Sequence, residues 1–293
     1  STWYRENGFD GHDWAFCMLL NYGGNVGLFG KLQHVVDEFY KARSSRFAPT
    51  MRGVGLTMEG IENNPVMYEL VCELPWSTAD GNHIVWRDWL IRYVQTRYGN
   101  VTNPKVSEAW LLLARSIYGC PADNVSQGCR ESVFCARPSL DAKWVSSWAE
   151  TVDYYEPDSV IRAARLMVEA AADMPANANF RYDLVDITRQ AVAERARLVY
   201  NEIVAAYKAN DRKMFRHTTQ RFLSLLLQQD RLLSSVPDFM VGRWIKQARS
   251  IATNAAEADH YEWNARTQIT VWGNRQAAEQ GGLREYAHKE WSG

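Results

Sequence analysis

Glu59 is the side chain in this sequence best placed to do chemistry. It lies in the run Gly53-Val54-Gly55-Leu56-Thr57-Met58-Glu59-Gly60-Ile61-Glu62-Asn63-Asn64-Pro65, where residues 54–58 have the composition of a short buried strand between glycines. A carboxylate at the C-terminal tip of a strand can act as a nucleophile or as a general acid/base. The alternative is a loop carboxylate, or a partner for the dipole of the helix that follows. Glu62, within the loop leading to that helix, is read as dipole-stabilising. Asn21 opens the loop Asn21-Tyr22-Gly23-Gly24-Asn25 after a second apolar run. Its amide can donate to a ligand hydroxyl, and the glycines beside it allow close backbone approach; a plain βα turn is the other reading. Twelve Trp and fourteen Tyr are a heavy aromatic load, and aromatic faces stack on the apolar faces of sugars. Trp86, Trp89, Trp110 and Trp148 fall on helical patterns and are expected in the core. Trp272 instead ends a helix and enters a Gly/Gln-rich loop, from which it can project into a cleft or pack.

Other chemistries lack their residues. There is no G-x-S-x-G, the six His are scattered, and no His/carboxylate spacing suggests a metal site. Gly23-Gly24-Asn25-Val26-Gly27 has neither the G-x-G-x-x-G spacing nor a P-loop lysine, so no nucleotide cofactor is expected. A net charge of −1 provides no global field toward nucleic acid or an anionic membrane. No apolar run reaches membrane-spanning length; those at 110–114 and 223–227 are the length of core-helix segments. No signal peptide is visible, which fits a mature or truncated product as well as a cytosolic one. Of five cysteines, Cys17 and Cys72 lie in apolar patterns and read as buried thiols. Cys120 and Cys129 can close a small loop in an oxidising compartment, or can stand with Cys135 as free thiols.

These candidates need elements to hold them. The chain has 293 residues, 46% hydrophobic and 23% charged, enough for a sizeable core in one large or two ordinary domains. Residues 14–20 form a continuous apolar run of strand length, as expected for a strand covered on both faces. Leu32, Val35, Val36, Phe39 and Tyr40 mark a helix after it. After the 54–58 strand, Asn64 is expected to cap a helix through its side chain, with Pro65 in the first turn and Pro75 at the end. Two consecutive βα units imply a parallel sheet. Beyond Trp76 helices take over, near 84–98, 105–118, 158–173, 181–209, 211–228 and 238–270, with an ambiguous apolar stretch at 268–272 and a long loop at 121–143. Asp183, Asp186 and Arg189 share one helix at i, i+3 and i+6 and read as a structural ion-pair set, and Arg162, Arg165, Glu169, Arg195 and Arg197 as solvated faces. A complete (β/α)₈ barrel takes roughly 250 residues, and only residues 1–85 here have α/β character.

Four stretches together resemble the α-N-acetylglucosaminidase family of glycoside hydrolases. They are residues 17–25 with Gly27-Leu28-Phe29-Gly30, residues 55–64 around Glu59, residues 180–192, and Glu257-Ala258-Asp259 with Tyr261, Glu262, Asn264 and Trp272-Gly273. The resemblance implies α/β plus all-α architecture: residues 1–85 as the terminal βα units of a (β/α)₈ barrel, and residues 86–293 as an α-helical C-terminal domain truncated at its end, since the family's chains continue beyond this point. It implies a retaining exo-glycosidase that removes terminal α-linked N-acetylglucosamine from a glycan. Glu59 matches the nucleophile; the acid/base belongs to an earlier strand that no segment here matches, so the rest of the barrel would be a necessary partner. Leu19 and Trp272 match sugar-pocket positions, as do Leu283 and Tyr286, although the loop between Trp272 and Leu283 is longer than the family's usual one. Neither cofactor nor metal is implied, and a secreted, periplasmic or lysosomal compartment is. A helical interaction module without catalysis and a silent sugar-binding relative are the competing readings.

Overall fold

A computed structural model describes the whole chain except residues 1, 21–22, 24–26, 60–63, 78–82, 124–127, 129, 143–144, 147–152, 175 and 283. A short helix α1 (Thr2–Arg5) precedes β1 (Trp14–Leu20), α2 (Leu32–Arg43), β2 (Met51–Met58) and α3 (Pro65–Ser77). β1 and β2 pair in parallel, with Cys17 opposite Gly55, Leu19 opposite Thr57 and Leu20 opposite Met58. The second strand thus starts three residues earlier than its apolar core suggested. Along β1, Trp14, Met18 and Leu20 are buried while Ala15, Cys17 and Leu19 are exposed. One face therefore packs against the helices and the other stands open. A parallel sheet is normally covered on both faces, so the open face and the free edges of these strands are those of a larger sheet.

The helical part follows as α4 (Trp86–Arg97), α5 (Pro104–Arg115), α6 (Pro157–Ala170), α7 (Ala178–Lys208), α8 (Arg212–Leu233), α9 (Val241–Ser250), α10 (Ala255–Gln268) and α11 (Arg275–Gln280). One core runs through both regions. Leu32, Phe39, Val66, Leu70 and Leu74 from α2 and α3 join Trp89, Leu113, Met167 and Phe180 from the helices beyond. The 31-residue α7 is the axis, packed between α6 and α8. Its core face is polar. Asp183 accepts from Arg97 Nε (2.6 Å) and Nη2 (2.9 Å) and from the Tyr98 hydroxyl (2.8 Å), so it pairs with α4 rather than with its own helix. Burial pushes the Tyr98 hydroxyl well above its ordinary value, which keeps it a donor. Among the described residues no helix is long and apolar enough to cross a membrane, and no group of His, Cys, Asp and Glu could hold a metal ion.

Several expectations change. The helix expected over 238–270 is a 3₁₀ turn (Pro237–Phe239) followed by α9 and α10. Asn254 starts a new helix: its side chain accepts from Glu257 N at 3.0 Å, while the Glu257 carboxylate accepts from Thr253 N at 2.6 Å. Residues 268–272 are a helix end and turns, not strand. Pro75 lies inside α3, which continues two residues further. Cys17 and Cys72 are exposed, Cys17 because it occupies the open face of β1. Arg197 is not solvated: it is buried and donates to Glu194 (2.6 Å) and Asp153 (2.7 Å). Leu223, Leu226 and Leu227 lie exposed on α8 rather than in a core. Trp89 and Trp110 are buried and Trp86 is partly so; Trp148 and Cys129, and with Cys129 the proposed loop disulfide, fall outside the described residues.

Candidate functional site

Glu59 follows directly on Met58, the last residue of β2, and its side chain is exposed. Two donors meet on one of its oxygens. The Gly23 N–H lies 2.5 Å from Oε2, and the Tyr286 hydroxyl donates to the same atom at 2.6 Å. No ion pair reaches the carboxylate among the described residues. Two hydrogen bonds on Oε2 fix the plane of the group and leave Oε1 to form a bond.

The two donors arrive from opposite ends of the chain. Gly23 belongs to the β1–α2 loop and has φ +65°, a conformation that favours glycine. A Cβ there would stand 2.2 Å from the Tyr286 carbonyl oxygen, so this close approach also requires glycine. The loop is pinned further along. Asn64 Oδ1 accepts from Phe29 N at 2.9 Å and its Nδ2 donates to the Gly27 carbonyl, while Gln190 of α7 accepts from Leu28 N at 3.2 Å. Asn64, buried and at φ +55°, thus ties the β1 loop to the β2 loop instead of capping α3 with its side chain.

Tyr286 comes from the C-terminal segment, and its ring meets Trp272 edge-to-face at 6.0 Å. Glu59, Tyr286 and Trp272 therefore form one connected group across the boundary between the βα units and the helical part. Leu19 lies on the open face of β1, 42% exposed and paired with Thr57, two residues before Glu59. Asn21, Glu62 and Leu283 lie outside the described residues. The Gly23 donor, Asn64 and Gln190 were not singled out by sequence as contacts of this site. The one usable signal was the glycine pair after β1, which marks close backbone approach without saying what approaches.

The family models match in two parts: the alpha-N-acetylglucosaminidase (NAGLU) tim-barrel domain over residues 1–78 and the alpha-N-acetylglucosaminidase (NAGLU) C-terminal domain over residues 89–293. The chain is 37% identical to human alpha-N-acetylglucosaminidase over 292 residues. It belongs to the alpha-N-acetylglucosaminidase family. Those residues are 99% of this chain and 37% of the human protein. A family 89 glycoside hydrolase from Clostridium perfringens, solved in complex with 2-acetamido-1,2-dideoxynojirmycin, superposes with a TM-score of 0.90 at 31% identity, over 99% of this chain and 32% of that one. The same enzyme carrying two Glu→Gln substitutions, in complex with its substrate GlcNAc-alpha-1,4-galactose, aligns equally well at 30% identity. The chain thus spans about a third of the length of the relatives it matches. In alpha-N-acetylglucosaminidase terms it holds the end of a tim-barrel domain followed by the C-terminal domain, which accounts for the two-stranded sheet with its bare face.

Proposed function

We propose that this chain is part of a retaining exo-glycosidase acting on terminal α-linked N-acetylglucosamine, with Glu59 as its nucleophile. Residues 1–85 would belong to the catalytic barrel and residues 86–293 to the helical domain. The observation that carries the reading is the pair of donors on Oε2 of a carboxylate at a strand tip, one from each part of the chain. The glycan complex of the Clostridium relative supports the substrate class.

Retention requires a second carboxyl about 5–5.5 Å from the nucleophile, first as acid and then as base. The rest of the barrel would supply it, built onto the face of β1 that carries Ala15, Cys17 and Leu19 and is left exposed here. Glu59 Oε1 would attack the anomeric carbon from the face opposite the leaving oxygen and form a β-glycosyl ester. Water, activated by the second carboxyl, would then release the sugar with its α configuration. An enzyme carboxylate answers a stereochemical need here. The 2-acetamido group of an α-glycoside is cis to the leaving group and cannot attack from the rear. Leu19, Trp272 and Tyr286, with Asn21 and Leu283, would surround the single terminal sugar. A pocket of that kind needs no basic groove, in keeping with the near-neutral charge.

Proton NMR during hydrolysis of an aryl α-N-acetylglucosaminide by the enzyme with its barrel complete tests this reading. The α-anomer of the free sugar should appear first and mutarotate later. Initial release of the β-anomer, or no hydrolysis, would contradict it.

A further inference from the structure

Tyr286 is delivered to Glu59 by a segment whose buried residues are mostly polar. From residue 284 to 293 the chain has no regular secondary structure beyond a bridge at Ser292, yet Glu285, His288, Glu290 and Ser292 are all buried. Each is fixed by a polar partner. Ser292 donates to Asp230 at 2.8 Å, and its backbone pairs with Phe239 and Val241. Glu290 accepts from Arg189 at 3.0 Å and Gln229 at 3.1 Å. His288 Nδ1 lies 3.0 Å from the Glu285 carbonyl and 3.8 Å from Glu131, a carboxylate that also accepts from the Ser146 N–H and hydroxyl.

Glu285 differs from the other three. It immediately precedes Tyr286 and has φ +56°, a left-handed conformation that a residue with a long side chain rarely adopts. Strain of this kind persists only where the surroundings enforce it, and it collects at functional sites. His288 reaches the Glu285 carbonyl, Arg284 Nε lies 4.0 Å from its carboxylate, and the closest charged partner is the Arg137 guanidinium. Arg137 Nε donates to the Glu285 carboxylate and Arg137 Nη2 donates to the Ala278 carbonyl at 2.6 Å. Arg137 thereby ties the strained residue to the end of α11, which is the other side of the loop carrying Trp272. Arg137 stands in the 121–143 loop, for which neither the sequence reading nor the barrel chemistry supplied a use. Burial pushes the ionisation of the neighbouring Cys135 thiol well up.

We infer that Arg137 and Glu285 are positioning residues of the glycosidase site: the Arg137–Glu285 pair holds the backbone turn that aims the Tyr286 hydroxyl at Oε2 of Glu59. The inference rests on the reading of Glu59 as nucleophile. Neither residue of the pair is hydrogen-bonded to Glu59, so their influence passes through Tyr286. Arg137 is half exposed, so replacing it removes the clamp without emptying a core. Once the clamp is gone, Glu285 can relax to a common backbone conformation, and the hydroxyl of Tyr286 leaves its place.

The test is a double-mutant cycle of Arg137→Gln and Tyr286→Phe in the enzyme with its barrel complete, assayed on an aryl α-N-acetylglucosaminide with thermal unfolding recorded for each protein. Each single change is expected to lower kcat about tenfold, the scale of one hydrogen bond to a charged group, with KM moving less than about twofold. The double variant is expected to be no worse than Tyr286→Phe alone, because both changes remove the same contact. Arg137→Lys keeps the charge but not the two-pronged contact, and should fall between the wild type and Arg137→Gln. Losses that multiply to about a hundredfold in the double variant would overturn the inference, since a merely structural Arg137 acts independently of the hydroxyl. A folded Arg137→Lys or Arg137→Gln with unchanged kcat would overturn it as well. Glu59→Gln, run alongside, separates the two claims. If Glu59→Gln retains turnover, the nucleophile reading fails; if it is inactive while the cycle is multiplicative, only the positioning role fails.

Discussion

Glu59→Gln is expected to lower kcat by about 10⁴-fold or more with little change in stability. The amide has the size of the carboxylate, and its oxygen can accept from Gly23 N–H and the Tyr286 hydroxyl as Oε2 does now. The geometry of the pocket should therefore persist. What is lost is the anion that forms the glycosyl ester, and no other described acid shares the two donors that hold Glu59. KM should change much less than kcat, because the sugar is gripped by the walls of the pocket rather than by the nucleophile. Steady-state kinetics of the complete enzyme, with unfolding curves of both proteins, checks this. A variant within tenfold of the wild type would mean that another group attacks the anomeric carbon.

Arg189→Ala is expected to destabilise the helical part by about 3–5 kcal/mol, the scale of breaking a buried ion pair from one side. Arg189 is 1% exposed on α7 and serves two carboxylates: Nη2 and Nε donate to Asp186 at 2.7 and 2.9 Å, and Nη1 donates to Glu290 at 3.0 Å. Its backbone carbonyl also accepts from Gln229, which binds Glu290 in turn. Removing the guanidinium leaves two acids buried without their cation. The pH dependence has a definite sign. Burial already pushes the Asp186 carboxyl above its ordinary value, against the opposing pull of Arg189. Without Arg189 only the upward push is left. A carboxyl raised in the folded state favours folding while it is protonated, and that contribution is lost as pH rises through its folded-state value. The variant should therefore be closest to the wild type in acid and fall away as pH climbs above the ordinary carboxylate value near about 4. Urea unfolding followed by Trp fluorescence across that range reads both effects. A loss below about 1 kcal/mol at neutral pH would mean that the network is solvated rather than buried.

Much of the frame was legible because it rests on local patterns. The apolar run at residues 14–20 is β1 residue for residue, and the helix beginning at Pro65 starts where the proline set it. The resemblance motifs named the same two-part architecture that the fold displays. Local pattern failed where a side chain had a distant use. Asn64 has the right type and place for a helix cap, yet its amide bridges two loops 35 residues apart in sequence. Arg197 looked like a charge on a solvated helix face and is buried among carboxylates. Cys17 followed the apolar run but points to the face of β1 that the present chain leaves open.

The site divides in the same way. Glu59 was visible from its place at a strand tip. The contact that orients it joins residues 227 positions apart, and Arg137, the partner of Glu285 beside Tyr286, comes from a Cys/Ser/Pro-rich loop with no periodicity. Glu285 carries no sequence sign of its left-handed backbone, since glycine or asparagine would be the ordinary choice there. Only the assembled fold shows the Arg137 guanidinium on its carboxylate.

The central claim is that Glu59 becomes covalently bonded to the sugar. A 5-fluorinated α-N-acetylglucosaminyl fluoride tests it most directly. The ring fluorine slows both oxocarbenium-like steps, and the good leaving group keeps ester formation faster than hydrolysis. Digestion of the inactivated enzyme and mass spectrometry should place one fluoro-sugar on the peptide containing Glu59, with fragmentation assigning the ester to that residue. An adduct on any other carboxylate, or inactivation that leaves the Glu59 peptide unmodified, would contradict the account.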